Sequence, residues 1–162
     1  MNKRSFPIAL MVAFMAITGI AFAQMPGMCD GMMGGGMMRH SMVRHRYFMM
    51  NGIPAPYAKL TNPLPITDKN IQEGGKLFQT NCAQCHGMNG YGDGPAGKAL
   101  NPPPSDIASI VQMPMATDPY LFWTISEGGK ELQTAMPPFK DSLSVDDRWK
   151  IILYLREGLG AH

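Results

Sequence analysis

The sequence predicts an all-α domain of three main short helices joined by long loops over residues 67–160, preceded by a disordered arm rich in methionine and histidine. Three observations carry this expectation. Segments with helical spacing of apolar residues open on Thr or Ser and close on Gly, which are start and stop signals of helices. No run alternates apolar and polar residues as a half-buried strand does. Residues 25–50 are rich in Met and Gly, with no apolar period that would feed a packed core, and a Pro-rich stretch follows them up to residue 66.

The first 23 residues combine Lys3 and Arg4, an apolar run from Phe6 to Ile20 and the small-x-small sequence Ala21-Phe22-Ala23. This is the pattern of a secretory signal peptide cut before Gln24. The apolar run is shorter than the roughly 20 residues that span a bilayer. The 162 residues less these 23 leave 139. Residues 24–66 follow as an arm or linker. Within it, residues 25–50 hold nine of the sixteen methionines, two of the four histidines and Cys29. Pro54, Pro56, Pro63 and Pro65 then fix φ and remove donors, which predicts an extended strap. Residues 24–60 carry a formal charge of +3 and residues 61–162 one of −3. Neither part is charged enough to suggest nucleic-acid binding.

The first helix opens at Thr67 as N-cap, with Asp68 in the first turn where a negative charge suits the helix dipole. Ile71, Gly75, Phe78 and Cys82 recur at spacings of four, three and four, one face of a helix. A glycine on that face allows a second helix to cross closely. Residues 87–118 are rich in Gly and Pro and read as loop, with one helical turn near Lys98–Leu100. The second helix is capped by Thr117, carries Pro119 in its first turn and ends at Gly128-Gly129. Ser144 followed by Asp147 resembles a capping box with Asp in place of Glu. It opens a third helix over about Val145 to Glu157, stopped by Gly158, with Val145, Trp149, Ile152 and Leu153 as its apolar stripe.

Three short helices form a thin core, because ordering the backbone costs roughly 1–2 kcal/mol per residue. Added apolar bulk from a buried cofactor would offset this. "CAQCH", Cys82 to His86, names the cofactor: Cys-x-x-Cys-His is the signature for attaching a c-type haem. Two thiols three residues apart at a helix end lie on one side and can form thioethers with two vinyl groups on one porphyrin edge. The next residue, His86, can then place an imidazole nitrogen on the iron. Rival uses of the thiols are less well supported. Three cysteines are too few for a disulfide scaffold. A structural zinc site lacks two further ligands at suitable spacing, and a thioredoxin-like dithiol lacks its βαβ setting. The sixth iron ligand is assigned to Met136 in "TAMPPFKD", a loop stiffened by Pro137 and Pro138. Met113 and Met115 remain alternatives. Met88 is too close to His86 in sequence to return over the other face.

These pieces resemble the class I cytochromes c, small single-haem electron carriers. The resemblance rests on "GKLFQTNCAQCHG", "NPPPSD", "AMPPF" and "DRWKIILYL" and covers residues 67–160. It implies a cytochrome c fold around one covalent haem c, with the first and last helices crossing through Gly75 and Phe78 against Tyr154 or Leu153. It also implies that a carbonyl of the proline segment, at Pro103 or Pro104, holds the other nitrogen of His86. Leu100, Ile107, Leu121, Trp123, Phe139 and Ile152 are the expected pocket walls.

The expected function is that of a periplasmic electron-transfer protein, a single-electron shuttle between redox protein partners with no bond chemistry of its own. His and Met on both faces seal the iron, and thioether ligation with burial raises its potential. Two alternatives differ in class. A small peroxidase-like enzyme would need a displaceable sixth ligand and a distal acid or base, and the domain offers no histidine besides His86 and the terminal His162. Alternatively, the arm binds Cu(I) through Met32, Met33, Met37 and Met38 beside His40 and His45. Cys29 is left as a copper ligand, an intermolecular disulfide partner or a bystander.

Overall fold

The computed structural model describes residues 43–159 and contains no strand among them. Seven helices follow in order: α1 Val43–Asn51, α2 Ala55–Ala58, α3 Asp68–Asn81, α4 Ala83–His86, α5 Ile107–Ile110, α6 Asp118–Glu127 and α7 Val145–Tyr154. Short 3₁₀ turns at Gly97–Ala99 and Lys130–Leu132 interrupt the loops, and a wider π turn at Leu155–Leu159 follows α7. The three expected helices are α3, α6 and α7. The signal-peptide segment and residues 24–42 of the arm lie outside the described residues.

The start signals act as their chemistry requires. The Thr67 hydroxyl accepts the Asn70 N–H at 3.2 Å. The Ser144 hydroxyl accepts the Asp147 N–H at 3.0 Å and donates to the Asp147 carboxylate at 2.7 Å. The Asp147 side chain therefore returns to the cap hydroxyl, where a full capping box would reach the cap N–H. Thr117 occupies the N-cap of α6 but makes no side-chain cap bond.

Helices α3 and α7 cross through two glycines. A methyl at Gly74 would collide with the Lys150 carbonyl, and one at Gly75 would lie 3.1 Å from the Tyr154 ring. Phe78 packs on Tyr154 with ring centroids 5.4 Å apart, so Tyr154 is the aromatic of the crossing. Lys150 also reaches Glu73 across it at 2.9 Å. Two details of the α7 stripe differ from expectation. Val145 is 53% exposed, because it stands in the first turn, beyond the edge of the crossing. Ile151 is buried together with Trp149, Ile152 and Leu153.

Helix α6 is buried on more than one side. Phe122 stacks on Trp149 of α7 at 4.1 Å, and the Arg148 guanidinium covers the same ring at 4.6 Å. Tyr120 and Trp123 receive a different neighbour, the segment read from sequence as an arm. Phe48 meets Tyr120 edge-on at 5.3 Å, and Tyr47 lies 5.7 Å from Trp123. Tyr57 donates to the Glu127 carboxylate, and Phe48, Ile53, Tyr57, Leu60 and Leu64 pack against the core. The expectation of no packed structure over residues 25–50 is therefore corrected over residues 43–50, while the strap expected after them is interrupted by the turn α2 and packs against the core. Helix α1 has no clean apolar stripe, and what docks it is the aromatic surface of α6, which no reading of the arm alone could supply.

Two substitutions test these contacts. Gly74→Ala drives a methyl into backbone and is expected to cost about 1–3 kcal/mol, as overpacking does; an unchanged denaturant midpoint would contradict the close crossing. Tyr57→Phe removes a hydrogen bond to a carboxylate and is expected to cost about 1.5–3 kcal/mol, less where water replaces it. The same unfolding curves read that effect.

Candidate functional site

The site begins where α3 gives way to α4. Cys82 is both the C-cap of α3 and the N-cap of α4. Its carbonyl accepts the N–H groups of Cys85 at 3.1 Å and His86 at 2.9 Å, closing a single turn. That turn sets both thiols and the imidazole on one cavity wall. One helical turn leaves its last four carbonyls without partners, and here the loop after it supplies all four. The Gly87 N–H bonds Ala83 O at 2.8 Å, Ala96 bonds Gln84 O at 2.9 Å, Gly94 bonds Cys85 O at 3.1 Å and Gly92 bonds His86 O at 2.8 Å. Glycine is required for the approach: a methyl at Gly94 would lie 2.5 Å from Gln84 O. Gly87 turns the chain away with φ at 78°.

The imidazole is oriented by the chain. His86 Nδ1 lies 3.0 Å from the Ser105 carbonyl oxygen. A carbonyl only accepts, so Nδ1 carries the proton, and Nε2 of the neutral ring keeps the lone pair that a metal needs. Ser105 takes the place expected of Pro103 or Pro104. The extended proline run carries the backbone past His86 and presents the carbonyl just after its end. The Cys82 thiol is pushed up to about 12, by burial first and the neighbouring Cys85 second. Among the described residues no three His, Cys, Asp or Glu side chains cluster as a metal site.

The cavity measures about 170 Å³ and opens to solvent. Its wall of Leu, Ile, Met, Phe and Pro side chains around two thiols and an imidazole is the donor set and apolar surface that a c-type haem requires. Cys82, Cys85, His86 and Met136 all line it. So do Met113 and Met115, and the alternatives for a sulfur ligand stay together in one place. Met136 differs from them in its anchoring to the end of α6. Its carbonyl accepts the Gly129 N–H at 2.8 Å, and Phe139 N–H bonds Ile125 O at 3.1 Å. Of the expected walls, Leu100, Ile107, Leu121 and Phe139 are in place. Trp123 and Ile152 are buried elsewhere: Trp123 faces α1, and Ile151 fills the position given to Ile152.

Among the lining residues that sequence reasoning did not name are Arg44 and His45 of α1. That reasoning found no histidine in the core besides His86 and the terminal His162; the docking of α1 brings His45 of the arm to the cavity and corrects that statement. The signal available was the all-round apolar character of α6, which requires a covering on every side.

An all-helical domain with a Cys-x-x-Cys-His turn on an apolar cavity defines a c-type cytochrome domain. Residues 69–155 match the family model described as cytochrome c oxidase, cbb3-type, subunit III, and the chain belongs to this family, which carries covalently bound haem c. Among solved structures, a chain of the Kuenenia stuttgartiensis reducing HAO-like protein complex aligns with a TM-score of 0.48 and 28% identity, over 57% of this chain and 45% of that one. Cytochrome CL from the methylotroph Methylophaga aminisulfidivorans aligns with a TM-score of 0.43 and 23% identity, over 69% of this chain and 65% of that one. The chain thus spans less than half of the first and about two thirds of the second. Among curated proteins no sequence matches it.

Substituting the three pocket methionines one at a time separates their roles. Met136→Ala should abolish the weak far-red band that a methionine–iron bond gives the oxidised holoprotein, while Met113→Ala and Met115→Ala retain it. Loss of the band in either of those two would move the assignment.

Proposed function

We propose that the chain is an exported single-electron carrier of the periplasm, working through one c-type haem held by thioethers from Cys82 and Cys85, with His86 and Met136 as axial ligands. The observation that carries this reading is the convergence of these four side chains on one largely apolar cavity, with His86 Nδ1 tied to Ser105. The haem, when bound, supplies a one-electron change between ferric and ferrous iron. The protein's part is positional. The capped turn fixes the thiols and the imidazole, and the Ser105 carbonyl keeps Nε2 available. The Met136 loop, pinned to α6 on both sides, offers a soft sulfur that favours the ferrous state. Leu121, Ile125, Phe139 and Ile151 exclude water, which disfavours the added charge of ferric iron. Haem-based electron transfer is the function that the family supports.

Partners in this reading are redox proteins that dock transiently beside the thioether turn. Met88 and Tyr91 follow that turn and are 57% and 54% exposed, an apolar surface suited to a small, short-lived complex. A second reading, a small haem enzyme, is favoured by one observation: His45 lines the cavity and adds the second imidazole that such chemistry needs.

Protein matured in a host that attaches haem distinguishes these outcomes. The carrier reading expects a mass increase of one haem, a sharp α band on reduction, the far-red band on oxidation and slow carbon monoxide binding. Fast carbon monoxide binding to the reduced protein would favour the enzyme. A bare polypeptide would remove both.

A further inference from the structure

Helix α1 lies outside the residues matched by the family, yet it gives the cavity two consecutive polar side chains, Arg44 and His45. Both have unmet bonding capacity among the described residues. His45 Nδ1 is buried with no hydrogen-bond partner. The Arg44 guanidinium lies 4.4 Å from the centre of the Trp123 ring and donates through Nη2 to the Gly128 carbonyl. A guanidinium has five N–H donors, so one carbonyl leaves most of them unused. Arg44 forms no ion pair with the described carboxylates. Glu127, whose field reaches it, is engaged by Tyr57 and by Lys140 at 2.9 Å. Burial lowers the pKa of Arg44, against the fields of Tyr120, Glu127 and Tyr47, which raise it.

Both groups face a cavity whose expected occupant brings the missing charge. A haem fixed through its vinyl groups carries two propionate carboxylates on another edge. A carboxylate taken out of water needs cationic or N–H partners. Among the described residues lining the cavity, no Lys, Asp or Glu occurs, and the only side chains able to carry positive charge are Arg44, His45 and His86. His86 is committed to the motif turn and to Ser105.

We infer that Arg44 and His45 form the receiving site for the haem propionates, contributed by a helix that precedes the haem-binding domain proper. The inference rests on the haem reading above. Arg44 presents a planar fork of donors suited to a carboxylate, while Trp123 and the Gly128 carbonyl hold it in place. His45 adds a second donor one residue on. Helix α1 is then part of the cofactor site as well as a cover for α6.

The test uses the holoprotein, with haem attachment established by mass. In the reduced, diamagnetic state, proton NMR should show nuclear Overhauser contacts from Arg44 and His45 side chains to the propionate methylenes. The double variant Arg44→Gln with His45→Gln should shift the ferric–ferrous equilibrium about tenfold toward ferric, ~59 mV for one electron, because uncompensated carboxylates stabilise the higher charge. The axial methionine methyl resonance should stay where it is. Arg44→Lys, which keeps the charge, should hold the potential near the parent value and guards against a folding artefact. Contacts from His45 to the axial methionine instead, with that resonance moved in His45→Gln, would overturn the inference in favour of a distal role. Absence of contacts with an unmoved potential would overturn it in favour of a purely structural helix. A chain without haem would overturn both this inference and the functional reading, and the mass tells that case apart.

Discussion

The structure depends on holding one helical turn rigid. Cys82 to His86 must keep two thiols and an imidazole on one wall, yet four residues of helix cannot sustain themselves, since each carbonyl at the end of so short a segment lacks a partner. The chain answers with the loop from Gly87 to Gly97, whose N–H groups take up the carbonyls of Ala83, Gln84, Cys85 and His86 in turn. A side chain at Gly94 or Gly97 would collide with that same backbone. What looks like a flexible glycine-rich stretch is thus a template built against the motif. Its end leads into the proline run and so to Ser105, whose carbonyl fixes the imidazole. Capping, loop composition and ligand orientation are consequences of one requirement.

The same turn is fixed from its other side by α3, and α3 is held by α7. Backbone meets backbone at Gly74 and Lys150, and Phe78, fully buried, sits between Tyr154 and the cavity. The crossing therefore sets the position of the cavity wall from which Cys82 and Cys85 project. Its polar rim is modest: Lys150 and Glu73 are partly exposed, and such pairs contribute little beside the packing. Shape at two glycines decides the geometry.

Much of this was legible in the sequence, and the misses share a cause. The caps at Thr67 and Ser144, the glycine face of α3 and the Cys-x-x-Cys-His turn are local signals, set by residues three or four apart. The packing of residues 43–66 leaves no local signal, because it comes from contacts with α6 some seventy residues away. Tyr57 and Glu127, or Phe48 and Tyr120, leave no joint mark in the chain. Ser105 was displaced to its proline neighbours because composition marks the extended segment without saying which carbonyl faces the ring. Val145 obeys the helical period but stands at its edge, where no partner covers it. Periodicity finds a face; tertiary contact decides how far along the helix that face is used.

Helix α6 connects these observations. Six of its ten residues are buried: Tyr120, Leu121, Phe122, Trp123, Ile125 and Ser126. A helix apolar over most of its circumference cannot rest against one neighbour. Leu121 and Ile125 face the cavity and Phe122 faces α7, which leaves Trp123 and one flank of Tyr120 to be covered. The aromatic residues of α1 cover them, with Arg44 over the Trp123 ring. Once α1 lies along α6 it cannot avoid the cavity, because α6 is the wall they share. A helix recruited to shield tryptophan from water thereby brings a guanidinium and an imidazole to the rim of a cofactor site. The segment ahead of the motif is bound to that site through the sequence of α6 itself.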